Sequence, residues 1–142
     1  MDGVNYILGE QTMKHYNVVA AVVCHDGKYL CMQKGKTKFE YTSYKWEFPG
    51  GKIEPGETPQ QALARELMEE MEYPVEVGEE LVTVNHEYPD FSITMTAYLC
   101  TPKAEADGFK RREHADSKWC SPVELKNLDW AAADVGVVES IL

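Results

Sequence analysis

The stretch from Gly51 to Glu70 constrains this chain most, because it commits the backbone to a glycine bend and then a capped, amphipathic helix. Thr58 is a good N-cap, Pro59 suits the first helical position, and Gln61 completes a capping box. Leu63, Leu67 and Met71 recur every four residues, with Ala64 and Met68 beside them, a stripe that faces a core. Pro74 disfavours helical geometry at Tyr73 and stops the helix. Glu66, Glu69 and Glu70 fall within a sector of about 100° adjoining that stripe, with no basic residue between Glu66 and Glu72. Carboxylates crowded this way destabilise a helix unless something positive binds them. Divalent metals held by carboxylates usually serve phosphates. The alternative is a solvated acidic helix, but Gly50-Gly51 just upstream forms a bend where backbone carbonyls can turn toward a metal.

The rest of the chain reads as short strands. His15 to Val23, with Val18, Val19, Val22 and Val23, is a strand, and His25-Asp26-Gly27-Lys28 is a hairpin turn into a returning strand at Tyr29 to Gln33. Lys34 to Tyr44 is a polar, basic loop. Lys45 to Phe48 is a short strand that Pro49-Gly50-Gly51 ends. Val75 to Val84 and Ser92 to Cys100 are strands, the second alternating Ile93, Met95, Ala97 and Leu99 with polar partners. Glu87 to Asp90 turns between them, and Ala104 to Ala115 is a charged loop. Lys118 to Cys120 is a short strand, and Ser121-Pro122 caps a short helix at Val123 to Asn127. A terminal helix over Ala132 to Leu142 turns Val135, Val138 and Leu142 inward. The class is α+β, a mixed sheet with a few helices.

With 142 residues and no linker, repeat or low-complexity tract, one domain over 1–142 is expected, residues 1–12 forming a loose arm. No apolar run is long enough to span a membrane and no secretory leader is visible, so a cytoplasmic location is the default. The net charge of −10 argues against a nucleic-acid polymer as partner but not against a small phosphorylated ligand. Cys24, Cys31, Cys100 and Cys120 form no C-x-x-C pair or zinc-spaced cluster; the plain reading of Cys24, Cys31 and Cys100 is that of small buried hydrophobes, and Cys120, after Trp119, carries no sharper signal.

The fixed positions Gly51, Glu57, Arg65, Glu66, Leu67, Glu69 and Glu70 resemble the signature box of the Nudix hydrolases. The run from Lys45 through Glu70 is similar to the MutT-like branch, which includes 8-oxo-dGTP diphosphatases and pyrimidine nucleotide pyrophosphohydrolases. The resemblance implies the Nudix fold, a mixed sheet with the box helix and the C-terminal helix packed on it as an α/β/α sandwich. It implies hydrolysis of a nucleoside triphosphate, first an oxidised purine such as 8-oxo-dGTP, to the monophosphate and pyrophosphate. (d)CTP-type pyrimidine nucleotides, ADP-ribose-like substrates and a non-catalytic binding domain are the alternatives. Mg²⁺, or Mn²⁺ in its place, would neutralise phosphate charge and activate water. Glu66, Glu69, Glu70 and the Gly50 carbonyl match metal ligands, and Glu57 and Arg65 match a pair bracing the loop to the helix. Glu113 resembles a distant glutamate that approaches the metals. Glu66, or else Glu113, would be the general base. The box normally continues with glycine and then an aliphatic residue, where this chain has Glu72 and Tyr73. Glu72 is not expected to take the left-handed turn cheaply, so a different helix exit is expected. A monomer or homodimer is expected.

At the substrate end, Asp134 matches a position facing the base edge, and it can equally be the N-cap of the terminal helix. Tyr88, Phe91, Trp119 and Phe48 can stack on a base or simply fill core. Glu47 matches a pocket-lining residue, and Gln33 stands where some relatives carry a substrate-contacting arginine. Lys34, Lys36 or Lys38 can replace that charge or form a solvated loop. His86 and His114 have no partner at ligand spacing and receive no role.

Overall fold

The computed structural model describes residues 4–8 and 11–142. Its organising element is a long strand, β2 (Gln11–His25), whose centre Val18-Val19-Ala20-Ala21-Val22-Val23 is apolar at every position. Such a run cannot face water on either side, so both faces of the sheet must be covered. Alternate side chains divide accordingly. Val19, Ala21 and Val23 pack with Ala62, Leu63, Leu67 and Met71 of α1 (Pro59–Met71). Ala20 and Val22 pack with Leu125 of α2 (Pro122–Leu125) and Ala133, Val137 and Val138 of α3 (Ala132–Ile141). The result is an α/β/α sandwich, as expected.

One edge of β2 runs parallel to β7 (Phe91–Pro102), which pairs antiparallel with β6 (Val75–Glu87). Three strands share its other edge in succession. They are β1 (Val4–Leu8), β5 (Gly50–Lys52) and the start of β3 (Lys28–Lys34). A second small sheet sets β3 between β4 (Trp46–Glu47) and β8 (His114–Cys120). No helix among the described residues is long and apolar enough to cross a membrane.

Several sequence expectations are corrected. Where a loose arm over 1–12 is expected, Val4–Leu8 pairs antiparallel with residues 11–15; residues 1–3 and 9–10 lie outside those described. β4 does end before Pro49, as expected, but Gly50-Gly51 is not only a bend: it forms β5 against Val19 and Ala20, where Gly50 lies too near the β2 backbone for a side chain. The charged loop stops at Glu113, since β8 gains a partner in β3 from His114 onward. Helix α3 turns Ala133, Asp134, Val137 and Val138 inward and leaves Val135 and Leu142 exposed. That segment is apolar on several faces, so periodicity alone could not choose the buried one.

The capping box at Thr58 and Gln61 is formed on both sides. At the other end Glu72 does adopt the left-handed conformation, φ 47° and ψ 41°, and its N–H donates to Leu67 and Met68 carbonyls. Such a conformation costs a non-glycine residue about 1–2 kcal/mol. The side chain it carries there is engaged: the Glu72 carboxylate pairs with Lys110 Nζ at 3.0 Å and accepts from Arg112.

Candidate active site

The acidic face of α1 lies against β5, and the packing there is tight. A Cβ on Gly51 would sit 2.4 Å from the Glu66 carboxyl carbon, and one on Gly50 would sit 1.9 Å from the Val19 carbonyl oxygen. Neither glycine has a positive φ. Both are therefore needed for space rather than for conformational freedom, which refines the bend expected from sequence.

Arg65 gathers the loop and the helix into one body. Its Nε and Nη2 donate to the two Glu57 oxygens at 2.6 and 2.9 Å, the fork geometry in which a guanidinium binds a carboxylate best. Nη2 also donates to the Lys52 carbonyl at 3.1 Å, and Nη1 reaches Glu66 at 3.0 Å and Glu69 at 3.1 Å. Glu57 is held below the usual carboxylate range by the Arg65 hydrogen bonds and by the Glu54 N–H, which donates to it at 2.9 Å. The ion pair expected between Glu57 and Arg65 is thus present, and it braces the residues 52–57 onto α1.

Glu70 points the other way, into a cavity. Burial, followed by the charges of Glu66, Glu47 and Glu113 and a hydrogen bond with Glu66, pushes its carboxyl up to about 9. Like charges at such close range cannot all ionise, so burial and crowding together favour the protonated form of Glu70. Glu69 is not drawn into this group: its side chain is 61% exposed and lies on Arg65. Among the described residues no three carboxylate, imidazole or thiol groups meet at one point. The donor chemistry nevertheless suits a hard divalent cation, since Glu66, Glu70, Glu47 and Glu113 supply only oxygen and repel one another in its absence.

Glu47 links this centre to the substrate side. It accepts Lys34 Nζ at 3.4 Å and bonds His114 Nε2 at 2.9 Å. His114 has no partner at ligand spacing in the sequence and gains its role only from the fold. Its imidazole is only 4% exposed and holds Glu47 in place, and its position beside Glu113 was the one available signal. Glu113 itself is exposed at the end of the loop just before β8, near enough for its charge to bear on Glu70.

A cavity of about 810 Å³ opens from Glu70, Gly50 and Gly51 toward α3. Glu47, Phe48, Phe91 and Asp134 all line it, as do Tyr88, Lys34 and Lys38. One wall is aromatic: Tyr88 stacks on Phe91 at 4.9 Å and on Tyr41 at 5.6 Å, and Phe39 stacks on Phe91 at 5.7 Å. Phe48 is buried against Trp130 at 4.8 Å. Tyr16 and Phe39 also line the cavity and were not anticipated, although an aromatic pair, Phe39 and Tyr41, inside an otherwise polar loop was legible.

Asp134 closes the far end. It is not the N-cap of α3, which begins after Ala131; it lies in the first turn. It is 3% exposed, accepts the Phe48 N–H at 2.9 Å, and is pushed up to about 8 by burial and then by Glu47. Gln33 is not in the cavity: its amide donates to the Tyr44 carbonyl at 3.1 Å and steadies the 34–44 loop. Lys36 does not line the cavity either, and Trp119 packs on the α1 side of the sheet, edge-on to His25.

Comparison with known proteins places these features in a family. The model described as NUDIX domain matches residues 13–140. The CTP pyrophosphohydrolase of Escherichia coli (strain K12) is 34% identical over 142 residues, covering 92% of this chain and 93% of that protein. The 8-oxo-dGTP diphosphatase of Proteus vulgaris is 40% identical over 88 residues, covering 62% of this chain and 78% of that protein. The solution structure of the E. coli ORF135 protein superimposes with a TM-score of 0.76 at 34% identity, covering 96% of this chain and 93% of that one.

Proposed function

The chain belongs to the NUDIX domain family, a family of divalent-metal-dependent hydrolases, and on that premise we propose that it cleaves nucleoside triphosphates to nucleoside monophosphate and pyrophosphate. The observation that carries this reading is the junction of the Glu66/Glu70 pair with a cavity of about 810 Å³ walled by aromatic rings. One end attracts a cation and the phosphates it binds; the other accepts a flat heterocycle. 8-oxo-dGTP is the first substrate proposed. Cytidine triphosphates are the second, favoured by the similarity to a CTP pyrophosphohydrolase over nearly the full length.

Mg²⁺, with Mn²⁺ as a substitute, would be held by Glu66, Glu70 and the Gly50 carbonyl, with Glu69 reaching it only by leaving Arg65 and Glu113 approaching; when bound it would neutralise phosphate charge and activate water. The chain's own residues supply the rest. Glu66, anchored at 3.0 Å by Arg65, accepts the proton of the attacking water, with Glu113 as the second candidate base. Water adds across the bridge between the α- and β-phosphates, and pyrophosphate departs. Lys34 and Lys38 line the same cavity and offer positive charge to the phosphates. Phe91 and Tyr88 stack on the base, while Asp134, held near neutrality, can donate as well as accept a hydrogen bond at its edge. We propose that it acts as one domain over 1–142, monomeric or homodimeric, on the cytoplasmic nucleotide pool.

The test is a panel of nucleoside triphosphates, ADP-ribose and a dinucleoside polyphosphate, each assayed with Mg²⁺ and with product identification. Pyrophosphate and monophosphate from a triphosphate support the reading. Turnover confined to ADP-ribose, or binding without turnover at any metal concentration, refutes it.

A further inference from the structure

The residue that breaks the family box, Glu72, sits at the centre of a contact network between the end of α1 and the loop over residues 103–113. Its carboxylate accepts from Arg112 and pairs with Lys110 at 3.0 Å. Arg112 also donates to the Glu69 carbonyl at 3.4 Å, and the Lys110 N–H donates to the Met71 carbonyl at 2.8 Å. Phe109 meets Tyr73 edge to face at 5.5 Å. The chain neighbours of Glu113 are therefore both tied down: Arg112 to the C-terminal end of α1, and His114 to Glu47 on β4 at 2.9 Å. Among the described residues Glu113 itself makes no such side-chain tie, yet its charge bears on Glu70.

We infer that Glu72 is a positioning residue: with Arg112 and Lys110 it forms a latch that holds the 103–113 loop so that Glu113 faces the acidic centre. A glycine in its place would satisfy the left-handed backbone at no steric cost. This chain instead keeps a strained glutamate whose side chain reaches the loop. The trade makes sense only if the side chain does something the backbone turn does not. Ion pairs this exposed contribute little to global stability, but several together can fix the register of a loop.

The inference rests on the proposed hydrolysis for its kinetic arm and is independent of it for its structural arm. Glu72→Gly removes the carboxylate while suiting the backbone, so the variant is expected to fold with an undiminished melting temperature. Hydrogen exchange should then show lost protection confined to residues 103–113, the Lys110 amide included. In the pyrophosphate-release assay kcat should fall about tenfold with KM changed less than twofold. Arg112→Ala should do the same, and the double variant should be no slower than either single one. Glu72→Asp, which keeps the charge, should recover most of kcat. Unchanged exchange in the loop of Glu72→Gly overturns the latch whatever the activity. So does kcat within twofold of the parent, or losses in the two variants that multiply. Absence of turnover in the parent protein refutes the proposed hydrolysis alone and leaves the exchange measurement to judge the latch.

Discussion

Gly50 and Gly51 are adjacent in sequence and should fail in opposite ways when a methyl group is added. At Gly51 the new Cβ would lie 2.4 Å from the Glu66 carboxyl carbon and 2.6 and 2.7 Å from its oxygens. Carbon atoms in contact prefer about 3.5–4.0 Å, so the carboxyl must retreat by roughly 1 Å or more. It sits at the end of a rotatable side chain, and the backbone at Gly51 is one that alanine adopts, so the fold can absorb the change. The expected stability loss is below about 1 kcal/mol, the scale of a weakened, part-exposed bond between Arg65 and Glu66. The catalytic loss should be larger, because displacing a group at the reacting centre by 1 Å costs roughly 100-fold. At Gly50 the Cβ would lie 1.9 Å from the Val19 carbonyl oxygen and 3.0 Å from the Ala20 Cα, both backbone. The β2–β5 pairing must part there, at a cost of about 2–4 kcal/mol. Steady-state pyrophosphate release with metal titration, alongside thermal melts, separates the two. Gly51→Ala should keep its melting temperature and lose kcat/KM, while Gly50→Ala should melt several degrees lower. Wild-type kcat/KM and metal dependence in Gly51→Ala would refute the argument that Glu66 must occupy the space beside Gly51.

Glu70→Gln should abolish metal-dependent turnover with the fold intact; undiminished turnover sinks the assignment of the acidic centre. The same variant bears on pH. Because the folded pKa of Glu70, about 9, lies above its unfolded value, the folded state binds the extra proton, and the metal-free protein loses stability as pH rises from about 4.5 toward 9. Glu70→Gln removes that loss, so metal-free melts should coincide near pH 4 and favour the variant by a few degrees at pH 8; parallel profiles count against it. Arg65→Lys replaces a two-pronged contact with a point charge and should lower kcat about tenfold or more without unfolding, as judged by kinetics beside circular dichroism. Asp134→Asn should preserve folding and change the ratio of kcat/KM between 8-oxo-dGTP and CTP by tenfold or more, the scale of one or two buried hydrogen bonds; an unchanged ratio would remove Asp134 from base selection.

Much of the centre was legible because its chemistry is local. The capping box, the apolar stripe and the acidic sector all lie within one helix, where spacing sets direction. The Glu57–Arg65 pair spans only the N-cap and about two turns of that helix. The features that were not legible are those set by pairing between distant strands. That β2 is covered on both faces follows from its apolar run, but which strands share its edge does not. The inward face of α3 was misread because an apolar segment offers several faces, and only β6 and β7 choose among them.

The sequence alone indicated a carboxylate metal site and, through its resemblance to the Nudix box, the reaction class, since residues 51–70 carry the acids, the cap and the brace within one segment of chain. Only the tertiary structure decided that Glu70 enters the cavity while Glu69 lies exposed on Arg65, and that Asp134 closes the cavity instead of capping a helix. It alone showed that Glu72 takes the left-handed turn with its carboxylate on Lys110 and Arg112. Those outcomes depend on burial and on contacts between residues dozens of positions apart, and a linear pattern carries no record of either.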